Sequence, residues 1–277
     1  MTIEDIKNIA ARTRDYNFHS HTQFCDGHAS MEEMARAAEG IGMAFYGFSP
    51  HSPLCIESPC NMSRDDVQPY IDEADRLDEV FINEGKRIKL LKGMEIDRIS
   101  HEWAPHIDYF QQLPLDYRIG SVHFVVSQDG EPVDCDGSFA RFEKNLKERF
   151  HGDLRYVVEK YYESLLSMIE EGGFEILAHP DKIAANASDA DAKIEAQGWY
   201  EALLDDVVRL SAEKGIVVEI NTKAIRDRNR IFPAERWIGK FIAAGIPLIV
   251  NSDAHYPDKI QLGRAEAFDI LDSLITK

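Results

Sequence analysis

Apolar residues recur along this chain in two alternating rhythms. Short, nearly continuous apolar runs of strand type are followed by longer stretches in which apolar side chains return at helical spacing. A strand is expected around 16–18, and then a helix from Ser30. There Ser30 and Glu33 have capping-box spacing, while Met31, Met34, Ala35 and Ala38 form one apolar stripe ended by Gly40 and Gly42. Further strands are expected at 44–48, 88–94, 117–122, 175–178, 216–220 and 247–252. Between them lie helices at 63–83, carrying Val67, Ile71, Ala74 and Phe81 on one side, and from Asp153, carrying Leu154, Val158, Tyr161, Leu165 and Met168. Two more are expected at 197–214 and 234–244, the last with Pro233 placed to begin it. The stretch 97–116 reads as irregular.

Strand alternating with helix favours parallel strands joined by helical crossovers. Seven such units, with no linker, repeat or charge boundary, suggest one α/β domain over 1–277, a (β/α) barrel rather than an open sheet. The count of units alone leaves a doubly wound sheet open.

Composition narrows the partners. The chain has 277 residues, 44% of them hydrophobic, enough for a substantial core. Its formal net charge of −18 repels long nucleic acids and acidic membrane surfaces, whereas a small anion can bind where the site supplies its own cations. No apolar run has the length of a membrane span or leader, so a cytoplasmic protein is expected. Cys25, Cys55, Cys60 and Cys135 form no CxxC pair and are expected as reduced thiols.

The chemistry lies in where the metal-type residues fall. His19 and His21 follow the first expected strand, His51 the second, Glu95 the third, His123 the fourth and His179 the fifth; Asp253 and His255 follow the last. In a parallel barrel those strand ends converge on one face. His-x-His on an extended segment places both rings on one side, Asp253-Ala254-His255 repeats the spacing, and a carboxylate such as Glu95 can bridge two ions. A single buried histidine more often completes a core hydrogen bond; eight such residues at strand ends point to metal. Asp26 and His28 lie in a loop just behind His21, as a further ligand pair, a proton-handling group or simply a turn. Lys182, Arg226 and Arg228 put cations near the same face, as a phosphate requires. His101, His106 and His151 fall in irregular polar stretches and read as surface or substrate-loop residues.

These residues sit in ordered blocks: Phe18-His19-Ser20-His21-Thr22, Phe24-Cys25-Asp26-Gly27-His28, Gly47-Phe48-Ser49-Pro50-His51, Gly93-Met94-Glu95-Ile96-Asp97, Gly120-Ser121-Val122-His123-Phe124, Ala178-His179-Pro180-Asp181, Val218-Glu219-Ile220-Asn221-Thr222 and Ser252-Asp253-Ala254-His255. Nearly end to end, the chain resembles the polymerase and histidinol phosphatase (PHP) family, and within it the histidinol-phosphate phosphatases. The resemblance implies a distorted (β/α)7 barrel with two or three divalent ions of zinc, iron or manganese. It also implies hydrolysis of L-histidinol phosphate to L-histidinol and phosphate in histidine biosynthesis, by hydroxide that the metals activate.

Carried over by position, His19, His21, Glu95 and Asp253 would hold one ion, Glu95, His123 and His179 a second, and His51, His255 and His28 a third. His28 follows His21 by one residue more than the family's spacing, which sets Asp26 beside it as the candidate for proton transfer. Asp26, His51 and Glu95 would act in catalysis; Lys182, Arg226 and Asp97 would contact the substrate. Two alternatives stay open: a phosphoesterase of the same family acting on nucleotides or oligonucleotide ends, and a metal-binding regulatory module without activity. An amidohydrolase-type barrel, which also begins with His-x-His and ends with Asp, fits the bridging Glu95 and the second residue His255 less well.

Overall fold

The computed structural model describes residues 1–276. Its strands are β1 (Tyr16–Asn17), β2 (Phe45–Phe48), β3 (Lys89–Lys92), β4 (Glu95–Asp97), β5 (Ile119–Ser121), β6 (Phe124–Val126), β7 (Pro132–Asp134), β8 (Ile176–Leu177), β9 (Val217–Asn221) and β10 (Leu248–Asn251). One parallel sheet runs β1-β2-β3 and a second runs β10-β9-β8-β5-β4. Single parallel bridges join them at both edges: His51 to Glu95 beyond β2, and Ser20 to Ala254 beyond β1 and β10. The result is the distorted, barrel-like arrangement of seven strand positions, with β3 and β4 sharing one position, and with helices packed outside.

The interior is apolar from several strands at once. Tyr16, Phe18, Leu91, Tyr117, Ile119, Ile176, Val217 and Ile249 form one buried cluster, in keeping with the near-continuous apolar runs of strands covered on both faces. Two further clusters lie beneath the outer helices. The break between β3 and β4 falls at Gly93, where the Tyr117 ring crosses so closely that an added Cβ would lie 2.3 Å from it. The Tyr117 hydroxyl donates across the barrel to the Phe18 carbonyl.

The seam between the first and last strands has its own fastening. Arg264, wholly buried, donates to the backbone carbonyls of Arg14, Tyr16 and Val250. A guanidinium suits this work because its fixed fork can serve several acceptors.

The helices differ from expectation more than the strands do. Helix 63–83 is a short 3-10 turn, Arg64–Asp66, leading into Val67–Asn83. Four helices of eight residues or more were not expected: Ile3–Arg12, started by a Thr2/Asp5 capping box, Phe139–Arg149, Ile183–Ala190 and Arg264–Ile275. The segment after β5 holds the antiparallel pair β6 and β7 rather than a plain loop. Among the described residues no helix is long and apolar enough to cross a membrane.

Candidate metal centre

The parallel strand ends gather buried histidines and carboxylates whose hydrogen bonds fix which ring nitrogen carries the proton. His19 Nδ1 lies 2.7 Å from Glu219 Oε1, so this nitrogen donates and Nε2 keeps a lone pair. That lone pair faces Glu95 Oε2 at 3.2 Å, and neither atom has a hydrogen-bond partner. His123 repeats the pattern: Nδ1 donates to Asp97 Oδ1 at 2.9 Å, leaving Nε2 turned toward Glu95 Oε1 at 3.7 Å. His255 Nδ1 donates to the Asp253 carbonyl at 2.9 Å, again freeing Nε2. Outer carboxylates and carbonyls that set the tautomer of a histidine are the usual second layer of a metal site.

Glu95 is the centre of the arrangement. Its Oε2 faces His19, His21 and His51 at 3.2, 3.6 and 3.0 Å, and its Oε1 faces His179 and His123 at 2.9 and 3.7 Å. One oxygen to each side is the geometry of a bridging carboxylate. Asp253 Oδ1 completes the first side, 3.0 Å from His21 Nε2 and 3.9 Å from His19 Nε2. Three overlapping sets have donor atoms close enough to share an ion: His19, His21 and Glu95; His51, Glu95 and His123; and His21, Asp26, His51 and His255.

The surrounding charges support the same reading. Burial alone would raise the Glu95 carboxyl, yet His19, His51 and His123 hold it well below the usual range. Burial and the neighbouring Lys182 push His179 down to about 4, so it is a neutral ring of the kind a metal needs. His19 is the exception: burial disfavours its proton, but Glu219, Glu95 and Asp253 outweigh burial and raise it well above the ordinary value. That excess of negative charge is what a divalent cation would answer. His179 and Asp253 also take positive φ angles of 24° and 51°, uncommon for residues other than glycine and typical of functional positions.

The orphaned donors test whether ions fit. His19 Nε2, His21 Nε2, His51 Nδ1, Asp26 Oδ1 and Glu95 Oε2 are all buried without a hydrogen-bond partner. Buried acceptors turned toward one another are costly unless a cation lies between them. Imidazole and carboxylate together suit zinc, iron and manganese. The residues therefore fit a centre of several divalent ions.

The outer residues need correction. The His28 backbone N–H donates to the His255 carbonyl at 2.9 Å, and its exposed ring stacks 4.4 Å from that of Tyr256, away from the donor sets. Asp26 takes that place instead, with Oδ1 3.3, 3.6 and 3.8 Å from His255, His21 and His51. Burial would raise its carboxyl, but those three rings hold it well below the usual range, the state in which a carboxylate can serve as a ligand. Asp97 lines the cavity, but its Oδ1 is committed to His123, where it accepts from both the backbone N–H and the ring.

Arg226 points outward from a one-turn helix, Ile225–Arg228, 62% exposed and paired with Glu266. The cations that reach the site are others. Beside the donor sets opens a cavity of about 280 Å³ lined by Lys182, Lys223, Arg141 and Arg228, with Asp136, Asp227, Phe124 and Phe232. Lys182 is held by Asp136 at 3.1 Å; burial would lower it, but Asp136, Asp253 and Glu95 raise it above the usual lysine range. His101 and His106 gather elsewhere, around Glu171 and Arg98.

Sequence reasoning left several site residues without a role. Glu219 accepts from the His19 ring, from Asn221 and Asn251 at 3.0 Å each, and from the His179 backbone N–H at 3.2 Å. A carboxylate in the otherwise apolar run 216–220 was its available signal, since a buried charge needs partners. Lys223, Arg141 and Asp136 had no comparable mark.

The model of the PHP domain family matches residues 17–223. A probable histidinol-phosphatase of Deinococcus radiodurans is 26% identical over 90% of this chain and 89% of its own length. Among solved structures, the hisK protein of Listeria monocytogenes superposes with a TM-score of 0.76 at 18% identity, covering 91% of this chain and 99% of that one. Histidinol phosphate phosphatase of Lactococcus lactis, solved with zinc, L-histidinol and phosphate, gives 0.72 at 19% identity and covers 94% of both chains. At these identities the structural likeness speaks for the fold.

Proposed function

The chain belongs to the PHP family, and from that premise we propose that it is a metal-dependent phosphomonoesterase that hydrolyses L-histidinol phosphate to L-histidinol and phosphate, a step of histidine biosynthesis. The observation that carries the reading is the cavity: four cationic side chains from three segments line it beside the metal-type donors, in a space at the small end of ligand pockets. Such cations suit a phosphate group. Asp227 in the same lining suits an ammonium group, and Phe124 and Phe232 a flat ring, so the lining suits a phosphate ester that also bears an amine and an imidazole. The relatives named histidinol-phosphatase support the same substrate.

Bound divalent ions would supply Lewis acidity and a nucleophilic water near neutral pH. The chain's part is to hold them through His19, His21, His51, Glu95, His123, His179, Asp253, His255 and Asp26. Lys182, Lys223, Arg141 and Arg228 orient the phosphate and offset the charge that develops on its oxygens. The −18 net charge disfavours long polyanions, while the cations of the cavity lining can still meet a small one.

The test is phosphate release from L-histidinol phosphate beside nucleoside monophosphates and p-nitrophenyl phosphate, on protein whose metals have been counted. Selective turnover of histidinol phosphate that vanishes in His123→Ala is expected. A preference for nucleotides would replace this substrate, and metal-replete protein without turnover would make the chain a binding module.

A further inference from the structure

Lys223 stands in an unusual place for a lysine. Its Nζ lies 3.1 Å from His255 Nε2 and 3.5 Å from Asp253 Oδ1, both atoms of the donor sets. Because His255 Nδ1 donates to the Asp253 carbonyl, Nε2 offers a single lone pair, and the ammonium donates into it. A metal ion coordinated by His255 would use that same lone pair. The hydrogen bond and the coordination therefore exclude each other.

Lys182 differs in a way that matters. Its Nζ also approaches a ligand ring, 3.3 Å from His123 Nε2, but it has Asp136 at 3.1 Å as a partner outside the donor sets. It is also nearly buried, at 10% exposure, whereas Lys223 is 40% exposed and free to turn. The side-chain partners of the Lys223 ammonium are both ligand atoms, so it must leave when an ion enters.

We infer that Lys223 is a built-in competitor for the ion that His21, Asp26, His51 and His255 would hold, and that it makes this outer ion the exchangeable member of the centre. The inference rests on the metal-dependent reading above. With the ion absent, the ammonium keeps His255 and Asp253 neutralised and ordered. With the ion present, Lys223 would give up that hydrogen bond and keep its charge on the cavity lining, facing an incoming anion. The innermost lone pair, His19 Nε2, has no ammonium partner, so the ion it would share with Glu95 meets no such rival at that ring.

The experiment is stepwise stripping of zinc-loaded protein with a chelator, with zinc per chain counted by elemental analysis, for wild type, Lys223→Met and Lys223→Gln. In wild type one ion is expected to leave well before the rest. In Lys223→Met that first step should move to about tenfold higher chelator, the scale on which outer-layer groups tune metal affinity, while later steps stay in place. Lys223→Gln keeps length and polarity without the charge and carries the same expectation, so a poorly folded Met variant does not end the test. A first step that is unchanged or earlier in the variants overturns the role of Lys223. Protein that holds no zinc in any form overturns the metal reading itself.

Discussion

His19 Nε2 and Glu95 Oε2 face each other at 3.2 Å in a wholly buried space, and no hydrogen bond joins them. The carboxylates around them leave this space short of positive charge, and an ion between them supplies it, so binding should stabilise the fold. Zinc or manganese at about a hundredfold above its Kd should add about 2.7 kcal/mol of stability, seen as a rise in Tm of roughly 5–10 °C. Calorimetry with ion and with chelator checks this; equal melting in both would deny that the pair faces a cation.

Glu219 holds the His19 tautomer from behind. Glu219→Gln keeps the shape but removes the charge that the ring N–H donates to, so zinc affinity should fall about tenfold or more. Competition against a fluorescent zinc indicator measures it, and an affinity within twofold of wild type would make Glu219 a packing residue only.

Asp26 and His28 give opposite forecasts. Asp26→Ala should remove the outer ion from the zinc count, because its Oδ1 lies among His21, His51 and His255. His28→Ala, on the Tyr256 surface, should leave the count unchanged. Loss of an ion in His28→Ala instead would restore His28 as a ligand.

The arginines of the Ile225–Arg228 turn separate likewise. Arg226 forms an exposed pair with Glu266, of a kind that contributes little, and Arg226→Ala should leave KM nearly unchanged. Arg228 lines the cavity, anchored by Asp189 at 2.9 Å and Asn186 at 3.1 Å. Arg228→Ala should raise KM for histidinol phosphate about tenfold, through loss of a charged hydrogen bond. Steady-state kinetics of both variants decide it.

Arg264→Met tests the seam. The buried carbonyls of Tyr16 and Val250 and the part-buried one of Arg14 would lose their donor, costing about 3 kcal/mol in urea unfolding. A cost under about 0.5 kcal/mol, as for an ordinary surface change, would mean that the strands hold without it.

Much of this site was legible in the sequence because strand-end position and ligand type are coupled: a parallel arrangement places His19, His51, His123 and His179 on one face whatever the helices do. Direction within loops was not legible. The loop at Gly27 is so tight that an added Cβ would lie 2.2 Å from the Thr22 backbone, and this closeness, with the His28 N–H tied to His255, turns Asp26 inward and the His28 ring outward. Whether Lys223 or Arg226 faces the cavity depends on how a single helical turn is seated, which local periodicity does not encode. The helix Phe139–Arg149 carries a short stripe of Phe139, Phe142 and Leu146, but only Phe142 is fully buried, and polar residues outnumber apolar ones along it.

The ring of strands also sets an order of events. The segment after β1 carries His19 and His21, yet its neighbour across the seam is the segment of Ala254, far later in the chain. A nascent chain thus holds two ligand rings long before Asp253 and His255 exist. An ion that takes ligands from both sides of this seam binds firmly only once β10 has docked beside β1, so it would hold the seam closed by the strength of the ligands that follow β10.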